Sequence, residues 1–125
     1  MTASAHNGGI GTLGTFVLDV NNLETCSTFW CQVLGVDVLF HEQGMQGLGR
    51  EGEHPLMLLQ KVAEPRQGKN RAHIDINVTD LEASVHRVEE LGGRQLEAHI
   101  LSEFGIEWVV MADPDSNEFC LVKHS

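Results

Sequence analysis

Two stretches of this chain follow one plan, and that repeat constrains the fold more than any other feature. Thr15 to Gly35 reads TFVLDVNNLETCSTFWCQVLG, and Arg71 to Gly93 reads RAHIDINVTDLEASVHRVEELGG. Each reads as a strand running through a capped turn into an amphipathic helix. Val20, Leu23 and Glu24 match Val78, Leu81 and Glu82 at one offset. Ser27, Leu34 and Gly35 match Ser84, Leu91 and Gly92 at an offset one shorter. Such a repeat means two copies of one supersecondary unit.

In the first copy, Phe16, Leu18 and Val20 alternate with Thr15, Val17 and Asp19, which is a strand with one dry and one mixed face. Asn21 is expected to cap the helix, with Glu24 reaching back in a capping box. Leu23, Ser27, Trp30, Val33 and Leu34 carry helical spacing, and Gly35 suits a left-handed end. Val36 to Glu42 reads as a strand. Gly44, Gly47 and Gly49 leave only a short twisted strand after it. Leu56 to Val62 is apolar on both faces and so central. Pro65 and Gly68 mark a linker. The second copy repeats the order. Ile74, Ile76 and Val78 alternate with His73, Asp75 and Asn77, and Thr79 with Glu82 forms a T-x-x-E capping box. Leu81, Val85, Val88 and Leu91 make the buried stripe. Strands follow over Arg94 to Leu101, Glu107 to Ala112 and Phe119 to Lys123, with ADPDSNEF as a turn. The pattern is β-α-β-β-β twice. One helix covers only one face of a sheet, and Thr15, Asp19, His73 and Asp75 all fall on the other.

The remaining features narrow the function. A chain of 125 residues is one domain with a real core. A formal net charge of -10 without any Lys/Arg cluster argues against nucleic acid and anionic membrane surfaces as partners. No apolar run reaches the length of a membrane span. The opening MTASAHNGGIG has neither the basic start nor the apolar stretch of a signal peptide and reads as a loose leader. Three cysteines, with no C-x-x-C pair, point to a reducing cytoplasm.

On the uncovered face, His73 has the titration range of a general acid or base, set against a hydrogen-bonded histidine without a catalytic role. Asp75 follows on the same face, about 7 Å along the strand. That is too far to orient His73 directly. Cys120 is a nucleophile if His73 lies close, and otherwise a small apolar residue. Trp108 is open to either a cavity wall or core packing, whereas Trp30 sits at core spacing. His41, Glu42, His54, Glu103 and Glu107 match no metal-binding motif.

The segments LDVNNLE with FWCQVLG, then HIDINVTDLEASVHRVEELGG, then WVVMADPDSNEFCLV, resemble the vicinal oxygen chelate superfamily of glyoxalase I, bleomycin-resistance proteins and ring-cleaving dioxygenases. The resemblance runs from Thr15 to Lys123 and is closest to the short glyoxalase-like branch. It implies an α+β fold in which two paired β-α-β-β-β modules form a curved mixed sheet around a cavity. Residues 1–12 are then a flexible leader and 13–125 a single glyoxalase-like domain, with modules over 13–63 and 71–124. Metal-dependent members carry four ligands on the first and last strands of each module. Those positions map to Thr15, Met57, His73 and Cys120. Only His73 keeps a typical ligand, so the resemblance implies a cavity without the superfamily's metal.

The expectation is a cytoplasmic homodimer that binds a small organic ligand without a cofactor. It either sequesters that ligand or acts on it as a lyase, isomerase or dehydratase through His73 and Asp75. Thr15, Asp19, Met57, Cys120 and Trp108 are expected to line the pocket. The alternative is a metal-dependent lyase or dioxygenase with a rearranged ligand set and a divalent metal at His73.

Overall fold

The computed structural model describes residues 15–68, 74–101 and 105–124. The leader expected over 1–12, and His73, lie outside the described residues. The first module runs β1 (Phe16–Val20), α1 (Leu23–Leu34), β2 (Asp37–Glu42), β3 (Met45–Gly49) and β4 (Met57–Lys61). The second runs β5 (Asp75–Asn77), α2 (Leu81–Glu90), β6 (Arg94–Leu101), β7 (Ile106–Ala112) and β8 (Glu118–His124). The repeat read from sequence is therefore the repeat in the fold.

Each module forms a mixed four-stranded sheet, in the orders β1-β4-β3-β2 and β5-β8-β7-β6. In both, the first strand pairs in parallel with the last and the remaining pairs are antiparallel. The apolar strand LMLLQKV lies between two neighbours, as its two dry faces require. Even the irregularities repeat. β2 shifts register between Val38 and Phe40, and β6 between Gln95 and Glu97. Such bulges bend the strand and increase its twist.

One core runs through both modules. Leu23, Cys26, Phe29 and Trp30 of α1 cover Val20, Leu48, Met57 and Leu59, and the cluster continues into Val88, Val109, Met111, Phe119 and Leu121. Trp30 meets Phe119 edge to face at 4.8 Å between ring centroids, and Phe29 meets it at 6.0 Å. Burying an aromatic or aliphatic side chain of this size stabilises by about 1.5–3 kcal/mol. The helix of the first module is thus anchored by the last strand of the second.

The helix caps fall one residue later than expected. Asn22, not Asn21, caps α1, its side chain accepting from the Thr25 N–H at 3.0 Å. Asp80, not Thr79, caps α2 by accepting from the Ala83 N–H at 3.0 Å. Asn21 is committed elsewhere. Its side-chain amide donates to the carbonyls of Val62 and Glu64, at 3.1 and 2.8 Å. Gly35 closes α1 in the left-handed region at φ 64°, donating its N–H to the Cys31 carbonyl.

The turn between β7 and β8 locks the modules together. Asp113 is fully buried and accepts from Trp30 Nε1 at 3.0 Å. It also accepts from the backbone N–H groups of Asp115 and Asn117. Asp115 accepts from the N–H groups of Asn21 and Asn22, at 2.6 and 2.9 Å, and from the Cys26 thiol at 3.1 Å. A carboxylate there faces the positive end of the α1 dipole. Asn117 reaches back to the Asp19 carbonyl at 3.0 Å. No helix among the described residues is long and apolar enough to cross a membrane.

Candidate functional site

Strand alternation decides which side chains meet solvent on the uncovered faces. In the second sheet, Ile76, Val109, Met111, Phe119 and Leu121 turn to the core. Their neighbours turn the other way. Asp75 pairs with Cys120, Cys120 with Val110, and Val110 with Glu97. The next row runs Asn77, Val122, Trp108 and His99. Across these rows and the following pair, Ile106 and His124, lies a cavity of about 340 Å³ lined by Asp75, Ile106, Trp108, Cys120, Val122 and His124. Three residues singled out from sequence, Asp75, Cys120 and Trp108, meet in it.

The structure separates the other expected pocket residues. Asp19 lines a different cavity of about 260 Å³ at the module junction, with Asn21, Arg66, Asp115 and Asn117. Thr15 donates its hydroxyl to the Pro55 carbonyl at 3.1 Å. Met57 lies in the core at 2% exposure. Neither Thr15 nor Met57 lines either cavity. Alternation along β4 gives the reason for Met57: with Leu59 it occupies the face covered by α1. Leu58 turns the other way, and its register with Val17 and Gly47 repeats that of Cys120 with Asp75 and Val110. Leu58 is therefore the counterpart of Cys120.

Sequence reasoning missed His99 and Glu97. The His99 ring stacks on Trp108 at 4.9 Å between centroids and 20° between planes. Its Nε2 lies 3.0 Å from Glu97 Oε2. Alternation along β6 holds the signal, because Glu97 and His99 are two apart, but only the register with β7 sets His99 beside Trp108.

Burial pushes the Cys120 thiol above its ordinary range, and the charges of Asp75 and Glu118 push it the same way. Reactivity of a cysteine needs the thiolate, so Cys120 is a poor nucleophile at neutral pH. Glu118 is itself engaged by Arg66 at 3.3 Å.

The same chemistry tests the fit of a divalent metal. A catalytic site needs about three protein ligands with a position left open. Of the four mapped positions, three are described after the correction on β4, and they offer a hydrogen-bonded hydroxyl, an alkyl group and a protonated thiol. These do not fit a hard divalent ion. Among the described residues, no group of three or more His, Cys, Asp or Glu is placed to hold a metal.

Paired β-α-β-β-β modules, each with one helix-covered face and one open face, define the architecture of the vicinal oxygen chelate superfamily, which includes glyoxalases, bleomycin-resistance proteins and dioxygenases. Within it the chain belongs to the glyoxalase-like domain family, whose model matches residues 15–122. No curated protein is matched by sequence. Among solved structures, the fold is shared with the genomically encoded fosfomycin resistance protein FosX from Listeria monocytogenes, complexed with Mn(II) and sulfate. That match has a TM-score of 0.78 at 14% identity, covering 94% of this chain and 93% of that one. A glyoxalase-related enzyme from Fulvimarina pelagi gives 0.72 at 15% identity, covering 92% and 89%. A glyoxalase I mutant from Zea mays gives 0.69 at 25% identity, covering 89% of this chain and 46% of that one.

Proposed function

We propose that this protein binds a small organic molecule in the cavity on the open face of its second sheet, without the divalent metal that FosX holds. The observation that carries the reading is the meeting of Asp75, Cys120 and Trp108 around one cavity. Such sites are concave and mostly apolar, with few polar groups that fix orientation. Ile106, Trp108 and Val122 supply the apolar wall, and Asp75 and His124 the polar points.

Binding alone makes the protein a sequestering one. Turnover makes it a lyase, isomerase or dehydratase, with His73, which sequence alternation assigns to the face of Asp75, as general acid or base. The protein is then a cytoplasmic homodimer, in keeping with its three free cysteines and its superfamily.

Two measurements test this reading. Protein purified without chelator or His tag is expected to carry metal well below one equivalent, even after incubation with Zn, Ni, Mn or Fe. A full equivalent would overturn the metal-free reading. In a thermal-shift screen of small organic molecules, ligands that raise the melting temperature should lose that effect in Trp108→Ala and in His73→Ala. Unchanged affinity and turnover in both variants would sink the site assignment.

A further inference from the structure

Resting on the binding reading above, we infer that the molecule bound in the second-sheet cavity carries a flat, unsaturated ring. That ring stacks on the face of the Trp108 indole turned away from His99, and His99 is the residue that positions the indole for it.

The sheet sets the orientation of the indole. His99 on β6 and Trp108 on β7 are register partners, and neighbouring strands lie about 4.8 Å apart. The two ring centroids are 4.9 Å apart, with 20° between the planes. The spacing of the rings is thus the spacing of the strands, so both rings stand on edge and stack along the strand-to-strand direction. One face of the indole meets His99 over β6, and the other looks across β8. The cavity lies on that second side: its described lining residues come from β5, β7 and β8. Glu97 Oε2, 3.0 Å from His99 Nε2, holds the imidazole in turn.

A ligand ring one strand spacing further on continues this stack. It stands over β8, with Val122, the register partner of Trp108 on that strand, beneath it. Aromatic rings attract one another in offset stacks with centroids roughly 4.5–7 Å apart, beyond what burial of their area contributes. A saturated ring is puckered, lacks the π face and gains burial alone. Ile106 and Val122 receive either kind of ring equally well, so discrimination between them falls to Trp108. His99 touches the indole and not the ligand. Without it the indole loses the stack that sets its plane, and a flat ring loses its partner face while the apolar area remains. The cavity volume, about 340 Å³, suits a molecule of one or two rings and lies at the lower end of the range for small-molecule sites.

Two neutral probes of similar size test this on the full chain: benzyl alcohol and cyclohexylmethanol. The saturated alcohol is the more apolar of the two, so burial alone would favour it. The indole N–H resonances of Trp108 and Trp30 and the probes' own resonances are followed by NMR during each titration. Trp30, buried and bonded to Asp113, reports that the fold is intact. Benzyl alcohol is expected to shift the Trp108 signal with about five-fold higher affinity than cyclohexylmethanol, its ring protons moving upfield. Trp108→Leu keeps an apolar wall without a π face and should abolish or reverse that preference while cyclohexylmethanol still binds. His99→Ala should cut the preference at least about two-fold with the Trp30 signal unmoved, and His99→Phe should restore it. Equal affinities, tighter binding of cyclohexylmethanol, or a preference that survives Trp108→Leu would overturn the flat-ring assignment while leaving the cavity as a binding site. A preference indifferent to His99→Ala would overturn the positioning role of His99. A Trp108 signal that moves with neither probe would overturn the binding reading as well.

Discussion

Replacing Asp113 with alanine should weaken the whole fold, not merely one turn. The carboxylate accepts from Trp30 Nε1, from the Asp115 and Asn117 N–H groups, and from the Asn117 side chain at 3.3 Å. Asn117 keeps another partner in the Asp19 carbonyl. Two of the remaining donors, Trp30 Nε1 and Asn117 N, sit in buried hydrogen bonds. Each buried donor left unpaired costs about 1–3 kcal/mol. Removing a carboxylate whose burial already raises its pKa gives part of that back. The net loss should be about 3 kcal/mol, which lowers the melting temperature by roughly 10 °C in a domain of this size. Urea denaturation followed by circular dichroism measures it. Trp30→Phe removes the indole donor, so Asp113→Ala in that background should cost about 1–2 kcal/mol less. A loss below about 1 kcal/mol, or an equal loss in both backgrounds, would refute the interlock between modules.

Other expectations follow from the same geometry. Asp115→Ala should cost about 1–2 kcal/mol in urea, because Asn21, Asn22 and Cys26 lose one shared acceptor at the start of α1. Burial raises the folded pKa of Asp113 despite its four N–H donors. Such a carboxyl holds its proton more tightly when folded, so its contribution is full below the unfolded carboxylate value and declines as pH rises through the folded one. The stability advantage of wild type over Asp113→Asn should therefore shrink as pH is raised from 4 towards neutrality; urea midpoints that keep a constant difference contradict this. Cys120 should react slowly with a thiol reagent at neutral pH and faster in alkali, since burial and two carboxylates disfavour its thiolate. A native-state rate at neutral pH equal to that of the unfolded chain would contradict it.

Much of this was legible in the residues, for identifiable reasons. Period-two alternation and helical spacing fix element type, and the repeat fixes their order, so both modules could be read before any coordinate. The caps slipped by one residue because adjacent Asn21 and Asn22, or Thr79 and Asp80, are equally competent acceptors. Tertiary contacts to Val62, Glu64 and Asp115 decide the first case. Met57 was misplaced because in LMLL every residue is apolar, and alternation carries no signal when both faces are dry. The sequence marks D-P-D-S-N as a turn. That its first carboxylate bonds a tryptophan 83 residues earlier is a matter of docking, which local pattern does not encode.

The cavity lies in the second module for a reason that the repeat itself exposes. Aligned by their bulges, the row Val17–Leu58–Gly47–Phe40 in the first sheet answers the row Asp75–Cys120–Val110–Glu97 in the second. The next row sets Gln60, Met45 and Glu42 against Val122, Trp108 and His99. In the first module, Gly47 has no side chain, and the Phe40 ring occupies the space so closely that an added Cβ would lie 2.3 Å from it. The Val17–Leu58–Gly47–Phe40 row is thereby apolar and filled by the Phe40 ring. In the second, Val110 and Trp108 stand up from the sheet, His99 braces the indole, and Asp75 and Cys120 stand where the first module has Val17 and Leu58. Relief and charge both come from side chains on a shared scaffold. Duplication therefore supplies two equivalent platforms, and different side chains at a few cross-strand positions give one of them a cavity. Grafting second-module residues onto the first, with Val17→Asp and Leu58→Cys, should leave the number of ligand-binding events unchanged as long as Phe40 covers Gly47; a second binding event in a ligand titration would show that charge without relief is sufficient.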